Sequence, residues 1–240
     1  MKASNLRVAI FGAGGSIGSE FVRSLAASNQ VAKVLAYSSS ATDFNSDKVI
    51  QYSIDINDES SISQASENLD HNLDLVIVAS GMLHDDEINP EKSLKEISAA
   101  KFEKLFKVNT IAPAIIAKYF VPKLSKENPS VFAAISARVS SISDNRLGGW
   151  YAYRASKSAL NMILKNLAIE SARTNKNAII LGLHPGTVDS KLSKPFQGAV
   201  PEGKLFTPNY SVQKMLEVIF KANSDASGNL FAYDGEKIDP

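Results

Sequence analysis

The chain has 240 residues, of which 44% are hydrophobic and 21% are charged, a composition typical of an ordinary globular protein. A formal net charge of +1 excludes the strongly basic field that nucleic acid or an anionic membrane surface requires, and no apolar run approaches the roughly 20 residues that span a bilayer. The absence of cysteine excludes disulfides and thiolate metal sites, and the three histidines lie too far apart in sequence to predict a metal site.

The N-terminal segment Met1–Arg7 leads directly into a strand-like stretch. It has neither the apolar core nor the small-residue cleavage site of a secretory signal. We therefore expect a cytoplasmic protein that has no membrane partner and no nucleic-acid partner.

Short apolar runs alternate along the chain with segments of helical spacing. The runs predict seven strands, at Arg7–Phe11, Lys33–Tyr37, Val49–Ile54, Leu73–Ala79, Val131–Ser136, Ala178–Leu183 and Leu230–Tyr233. Helices are predicted after Gly15, from Phe102 to Tyr119, from about Tyr153 to Arg173, and after Pro208. This alternation predicts a single α/β domain over residues 1–240, with a doubly wound parallel sheet of about seven strands and helices on both faces.

A glycine-rich turn, FGAGGSIG, follows the first strand at Phe11–Gly18. Glycine lets a backbone turn sharply and approach a pyrophosphate, and the helix that follows offers free N–H groups to the phosphates. A plain tight turn is the alternative, and the spacing of Gly12 and Gly18 is wider than in the usual Gly-x-Gly-x-x-Gly pattern. The position between a strand and an amphipathic helix favours a dinucleotide-binding Rossmann fold.

The second strand is followed by hydroxyl groups at Ser38–Ser40, where an acid would hold the ribose 2′-hydroxyl of NAD. Hydroxyls can accommodate a 2′-phosphate that a carboxylate would repel, although no arginine or lysine stands there. The sequence therefore favours NADP(H) over NAD(H).

Four tyrosines have a lysine four residues later, so the spacing alone selects no pair. Tyr119/Lys123 contains a proline, Tyr233/Lys237 spans a turn, and Tyr210/Lys214 begins the last helix as a solvated pair. Tyr153/Lys157 opens a long helix with an apolar face, where the spacing places phenol and ammonium side by side. An ammonium would lower the phenol pKa from about 10 toward neutrality, so that the tyrosine could exchange a proton with a carbonyl or alcohol oxygen as hydride moves.

These motifs, in this order, resemble the short-chain dehydrogenase/reductase family over essentially the whole chain. The segment Ser136–Arg154 is most similar to the C-factor-like and Sniffer-like carbonyl reductase branch. The resemblance implies as cofactor-binding residues Gly12, Gly15, Ser16, Ile17, Gly18, Ser38, Asp55, Ile56, Ala79, Ser80, Gly81, Tyr153, Lys157, Pro185, Gly186, Val188 and Ser190. It implies catalytic roles for Tyr153, Lys157 and Asn109.

The sequence departs from the family pattern at the serine that hydrogen-bonds the substrate carbonyl. Counted from the fifth strand, the position is Ala137, and counted back from Tyr153 it is Ser140, with Ser141 adjacent. Ser136 is expected to face away, because neighbouring strand residues point to opposite sides. We take Ser140 as the candidate.

Two functions follow from these patterns. The first is NADP-dependent reduction of a carbonyl group on a small organic substrate, or the reverse oxidation, with Lys191–Pro208 as a lid within the domain. The alternative is a dinucleotide-binding signalling or scaffold protein with little turnover. The resemblance also implies a homodimer or homotetramer paired through the helices at Lys101–Leu124 and Tyr153–Arg173.

Overall fold

A computed structural model describes residues 4–240, so the first three residues of the N-terminal segment lie outside the described part. The strands are β1 Leu6–Phe11, β2 Val31–Ser38, β3 Val49–Ser53, β4 Leu75–Val78, β5 Ser130–Ile135, β6 Ala178–His184, β7 Thr187–Val188, β8 Leu205–Phe206, β9 Asn229–Ala232 and β10 Lys237–Ile238. The central sheet contains eight of them in the order β10-β9-β6-β5-β4-β1-β2-β3, and all neighbours are parallel except β9 and β10. Strands β7 and β8 form a separate parallel ribbon.

Helices cover both faces of this sheet, which confirms the doubly wound α/β prediction. They are α1 Ser16–Ala27, α2 Glu59–Glu67, α3 Ala99–Phe106, α4 Ala112–Phe120, α5 Tyr151–Thr174 and α6 Pro208–Lys221. Alternate residues of β1 point to opposite cores: Val8 and Ile10 pack with α1 and α6, while Ala9 and Phe11 pack with α2, α4 and α5. No helix within residues 4–240 has the length and hydropathy to cross a bilayer.

All seven predicted strands are present, but the pattern missed α2, β10 and the β7–β8 ribbon. Helix α2 has only Ile62 and Ser66 buried and contains four serines, which are weak helix formers, so its apolar period is faint. Its start is instead fixed by Asp58, whose carboxylate accepts a hydrogen bond from the N–H of Ser60. The missed strands of two residues are too short to show a period.

The helix predicted from Phe102 to Tyr119 is divided into α3 and α4 by a π-helical turn at Lys107–Ile111. Pro113 has no N–H to donate to the carbonyl of Asn109, so the regular hydrogen-bond ladder fails at this point. The wider turn keeps the chain helical across the proline and places the Asn109 side chain in the interior, fully buried.

Three aromatic rings pack beneath the glycine-rich turn. Phe11 stacks on Tyr37 with ring centroids 4.7 Å apart, and Phe120 of α4 meets Phe11 edge-on at 4.8 Å. The carbonyl of Tyr37 accepts hydrogen bonds from the N–H groups of Gly12 and Ala13, both at 3.0 Å. The aromatic cluster therefore supports the backbone that forms the turn.

We expect Phe120→Ala to lower the free energy of unfolding by about 3–5 kcal/mol, because it leaves a cavity under two rings. Leu147→Ala is the control, since its side chain is 92% exposed and should cost less than about 0.5 kcal/mol. Urea unfolding followed by circular dichroism measures both values. Equal costs for the two variants would contradict the packing role of Phe120.

Candidate active site

The predicted site residues gather at the carboxyl ends of the parallel strands. Gly12 follows β1, Gly81 follows β4, and the order of strands reverses between these two neighbours. In open α/β sheets this reversal opens a crevice that is the usual place for a ligand.

Two glycines of the turn occupy positions where no side chain fits. Gly12 has φ +81°, and a Cβ there would lie 2.6 Å from the backbone nitrogen of Ser80. A Cβ on Gly18 would overlap the carbonyl oxygen of Gly12. The glycines therefore let β1, β4 and the first turn of α1 approach one another closely.

The start of α1 is suited to an anion. Gly15 supplies no side-chain cap, the first turn has no acidic residue, and the first N–H groups, from Ser16 to Gly18, have no carbonyl one turn earlier in the helix. Nearby, the buried hydroxyl of Ser80 has no hydrogen-bond partner among residues 4–240. These donors fit the pyrophosphate of a dinucleotide, with the positive end of the helix dipole directed at it.

The candidate adenosine residues lie along the ends of β2 and β3. A Cβ on Gly14 would come within 2.9 Å of the Ser40 hydroxyl, so the serine segment lies directly beside the glycine turn. The hydroxyl of Ser38 donates to the carbonyl of Ser40. Asp55 is exposed and its carboxylate accepts from the N–H of Asn57 at 2.8 Å, while Ile56 packs partly against the core.

Lys157 is 2% exposed, although it carries a charge. Its ammonium donates to the carbonyl of Ile135 at the end of β5, at 2.8 Å. A Cβ added to Gly81 would lie 3.4 Å from that ammonium and 3.6 Å from Oδ1 of Asn109. The structure thus brings together the lysine, the asparagine and the segment after β4.

The buried Asn109 amide forms hydrogen bonds to two segments of the protein. Its Oδ1 accepts from the N–H of Met82 and its Nδ2 donates to the Met82 carbonyl, both at 2.8 Å. Nδ2 also donates to the hydroxyl of Ser156, which itself donates to the carbonyl of Tyr153. Asn109 therefore connects the segment after β4 to the first turns of α5.

Burial shifts the pKa values of both members of the pair. Desolvation raises the pKa of Tyr153 to about 12 and lowers that of Lys157 to about 8. The expected lowering of the phenol pKa by the ammonium is absent in this state, because the ammonium binds Ile135 and desolvation of the phenol dominates. At neutral pH the phenol accordingly holds its proton, while the lysine stays mostly cationic.

Apolar and aromatic side chains surround the Tyr153 ring. Trp150 lies 6.2 Å from the Tyr153 ring and 5.1 Å from that of Phe196, which belongs to the predicted lid. Phe196 also meets His84 at 5.5 Å, and Nε2 of His84 lies 3.1 Å from the carbonyl oxygen of Leu192. The lid segment therefore packs against the tyrosine side of the crevice.

None of the three candidate serines is hydrogen-bonded to Tyr153. Ser140 donates to the carbonyl of Ala137 and accepts from Nδ2 of Asn161, whose Oδ1 accepts from Ser136. The Ser141 hydroxyl accepts from the N–H of Asp144 at 3.1 Å. Ala137, just after the end of β5, belongs to the same buried apolar cluster as Tyr153.

The segment after β6 forms the opposite side of the crevice. Gly186 has φ +74°, and a Cβ there would lie 2.7 Å from the Phe206 ring. The carbonyl of Pro185 accepts from the hydroxyl of Ser211. The ribbon pairs Val188 with Phe206, while Ser190 exchanges hydrogen bonds with Ser193. The pairing of β7 with β8 thus brings together the two ends of the segment that contains most of the predicted lid.

The sequence analysis missed two residues, Trp150 directly before α5 and Glu91 in the loop before α3. Trp150 has the left-handed conformation, φ +50°, and Gly148 and Gly149 before it also have positive φ. The paired glycines are the signal that could have indicated such a turn. Glu91 is fully buried beside this turn, and nothing in its sequence surroundings marks it.

Known proteins are similar to this chain in sequence and fold. C-signal of Myxococcus xanthus is 30% identical over 146 residues, which make up 61% of this chain and 82% of C-signal. NADPH-bound carbonyl reductase from chicken fatty liver superposes with a TM-score of 0.86 at 23% identity, over 100% of this chain and 96% of that one. Carbonyl reductase Sniffer of D. melanogaster superposes with a TM-score of 0.85 at 19% identity, over 99% and 100%.

The two structural likenesses show the fold, and the sequence match shows the family. The family model described as short chain dehydrogenase matches residues 7–199, which is most of the chain and includes the glycine turn, Asn109 and the Tyr153/Lys157 pair. The protein is therefore a member of the short-chain dehydrogenase family of oxidoreductases.

Proposed function

We propose that the protein reduces a carbonyl group on a small organic substrate to an alcohol, and catalyses the reverse oxidation, with NADP(H) as cofactor. The observation that carries this proposal is the buried Lys157 ammonium beside Asn109 and Gly81, one helical turn from a protonated Tyr153. The alternative, a scaffold with little turnover, needs none of these buried polar groups.

Tyr153 acts as the general acid in the direction of reduction. A bound nicotinamide would supply the hydride that forms the new C–H bond. The Tyr153 phenol gives its proton to the carbonyl oxygen as negative charge develops there, so that the product is the neutral alcohol. Desolvation keeps this proton on the tyrosine at neutral pH. For Lys157 to stabilise the phenolate formed by the transfer, its ammonium would have to turn from the Ile135 carbonyl toward the phenol oxygen.

Lys157 and Asn109 prepare the site for this transfer. The Ile135 carbonyl holds the Lys157 ammonium on the tyrosine side of the crevice. Asn109 holds Met82 and the Ser156 turn of α5, so the side chains that surround the reacting oxygen keep their places. Positioning of this kind lowers the entropy lost on reaching the transition state.

Apolar walls favour a substrate whose carbonyl is attached to an apolar or aromatic group. Trp150 and Phe196 form one side of the space next to Tyr153, and Ala137 adds a methyl group where the family has a serine. With no serine hydroxyl at that place, the Tyr153 phenol is the main hydrogen-bond donor to the substrate oxygen. Ser140 stays a prediction, since its hydroxyl would have to leave Ala137 and Asn161 to reach the substrate.

Tyr153→Phe tests the proposed reaction directly. We expect kcat for NADPH oxidation with a panel of aromatic aldehydes and ketones to fall by about 10²–10⁴, because the proton donor is lost. The dissociation constant for NADPH, measured by calorimetry, should change little, since the phosphate-binding residues are untouched.

Tyr119→Phe is the matched control, because Tyr119 also precedes a lysine by four residues but binds the exposed Glu59. It should keep the wild-type rate. Equal rates for wild type and Tyr153→Phe, whether high or negligible, would overturn the proposed reaction.

We also propose that the serine segment after β2 selects NADP(H). Ser40 lies beside the phosphate-binding turn, and the segment Ser38–Thr42 contains no acid that would repel a 2′-phosphate. Ser40→Asp should raise the dissociation constant for NADPH by about tenfold or more through like-charge repulsion, and leave that for NADH nearly unchanged. Titrations of Trp150 fluorescence measure both. Tighter wild-type binding of NADH than of NADPH would contradict this selection.

We propose that the protein pairs with a second copy through α4 and α5. Ile111 is 52% exposed at the end of the π-helical turn that leads into α4, and Met162 and Ile169 on α5 are 62% and 49% exposed, so this turn and α5 present apolar side chains to solvent. Ile111→Glu should shift the mass measured by light scattering toward the monomer, whereas Leu94→Glu, outside these helices, should not. A wild-type protein that is monomeric at all concentrations would contradict the proposal.

A further inference from the structure

Glu91 is a buried acid that the proposed reaction does not use. It lies in the loop between β4 and α3, where residues 92–98 are all exposed, yet its own exposed fraction is 0%. An isolated carboxylate is costly to bury, so it needs partners that compensate for the lost hydration. No lysine, arginine or histidine of residues 4–240 forms an ion pair with it.

The partners of Glu91 are backbone groups at the beginning of α5. Its Oε2 accepts from the N–H of Ala152 at 3.3 Å, and its main-chain carbonyl accepts from the N–H of Trp150 at 2.5 Å. A helix start leaves such N–H groups without acceptors and carries a partial positive charge. The side chain of Trp150, the residue before α5, accepts no hydrogen bond from the first N–H groups of the helix. Glu91, from a distant segment, accepts the hydrogen bond that a capping side chain normally accepts.

The turn held in this way is strained. Trp150 has φ +50°, a conformation that costs a bulky residue about 1–3 kcal/mol, and it follows two glycines of positive φ. The packing leaves little room, since a Cβ on Gly149 would lie 3.2 Å from the Glu91 carbonyl oxygen. Without the side-chain hydrogen bond to Ala152, only the Glu91 main-chain carbonyl would hold this turn, and the strain at Trp150 would favour a movement of Trp150 and the residues after it.

We propose that Glu91 is a positioning residue that fixes the first turn of α5 and thereby aims Tyr153 and Trp150 at the substrate. Ala152, which Glu91 holds, precedes Tyr153 directly, and Trp150 forms the apolar wall at 6.2 Å from the tyrosine ring. Misplacement of a reacting group by about 1 Å can cost about a hundredfold in rate, so a hydrogen bond at this point controls turnover without touching the substrate. This inference rests on the proposed reaction for its kinetic part only.

The test compares Glu91→Ala, Glu91→Asp and Glu91→Gln. Aspartate keeps the carboxyl group but is one methylene too short to reach the N–H of Ala152, while glutamine keeps the length and an oxygen acceptor. We expect alanine and aspartate to lower kcat by about tenfold to a hundredfold and glutamine to retain most of it. The dissociation constant for NADPH should stay constant in all three, because the glycine turn lies on another part of the sheet.

Trp150 provides a readout that does not depend on turnover, because it is the only tryptophan in the chain. In the alanine and aspartate variants its emission should move to longer wavelength, and the amide proton of Ala152 should exchange faster with solvent. Glu96→Ala is the matched control, since the Glu96 carboxylate also accepts a loop N–H, that of Lys92, but does not reach α5. It should leave kcat, emission and exchange as in wild type.

A merely structural role predicts a different result. The variants would then unfold at lower temperature but, while folded, keep the wild-type kcat, Trp150 emission and Ala152 exchange, and the proposal would be overturned. Loss of kcat in Glu91→Gln equal to that in Glu91→Ala would also overturn it. If Glu91→Ala does not fold, the aspartate and glutamine variants decide. Absence of wild-type turnover would refute the proposed reaction, whereas emission and exchange would still decide the role of Glu91.

Discussion

The site depends on one buried cation and the carbonyl that holds it. The Lys157 ammonium lies almost wholly inside the protein and donates to Ile135 at the end of β5. Burial of a cation with a single neutral acceptor costs free energy, and the lowered pKa of Lys157 expresses this cost. A cation in such a place is able to stabilise negative charge that develops beside it during a reaction. The proposed proton transfer from Tyr153 creates such a charge one helical turn away.

The neighbouring elements can be understood as supports for this arrangement. Proline at position 113 breaks the helical ladder, and the π-turn that results directs Asn109 inward. Asn109 then joins Met82, after β4, to Ser156 on α5. Helix α5 is therefore held by two contacts, one from Ile135 at the end of β5 and one from Asn109 in the π-turn between α3 and α4. Neither contact involves the substrate, so both exist before it binds.

Sequence patterns predicted those features of the fold and of the candidate site that repeat along the chain or have a fixed spacing. The buried strands were visible as apolar runs, and the glycine turn was visible because its backbone excludes side chains, as the close approach of Gly12 to Ser80 confirms. The pair Tyr153/Lys157 was selected by context among four equal spacings. Asp55 and Ile56 were implied by the family resemblance, and they follow the end of β3.

The patterns did not predict contacts between distant segments. Glu91 reaches Ala152 across 61 positions of sequence, and no local rule connects a loop glutamate to the start of a later helix. The position of the candidate serine was ambiguous for a related reason. Two counting rules gave different positions, and only the structure shows that the chain makes a 3₁₀ turn at Arg138–Ser140, soon after the end of β5. The same turn buries the Ser140 hydroxyl against Ala137 and Asn161 rather than beside Tyr153.

The alanine at position 137 increases the importance of the Glu91 contact in the proposed reaction. A serine hydroxyl beside Tyr153 would provide a second hydrogen bond to the substrate oxygen and would correct small errors in its position. In the proposed reaction the methyl group of Ala137 would leave the orientation of the oxygen to one phenol and to the apolar side chains of Trp150 and Phe196. The tolerance for movement of the Tyr153 ring is then smaller. A capping contact from outside the helix, applied one residue before the tyrosine, is the kind of constraint that such a site requires.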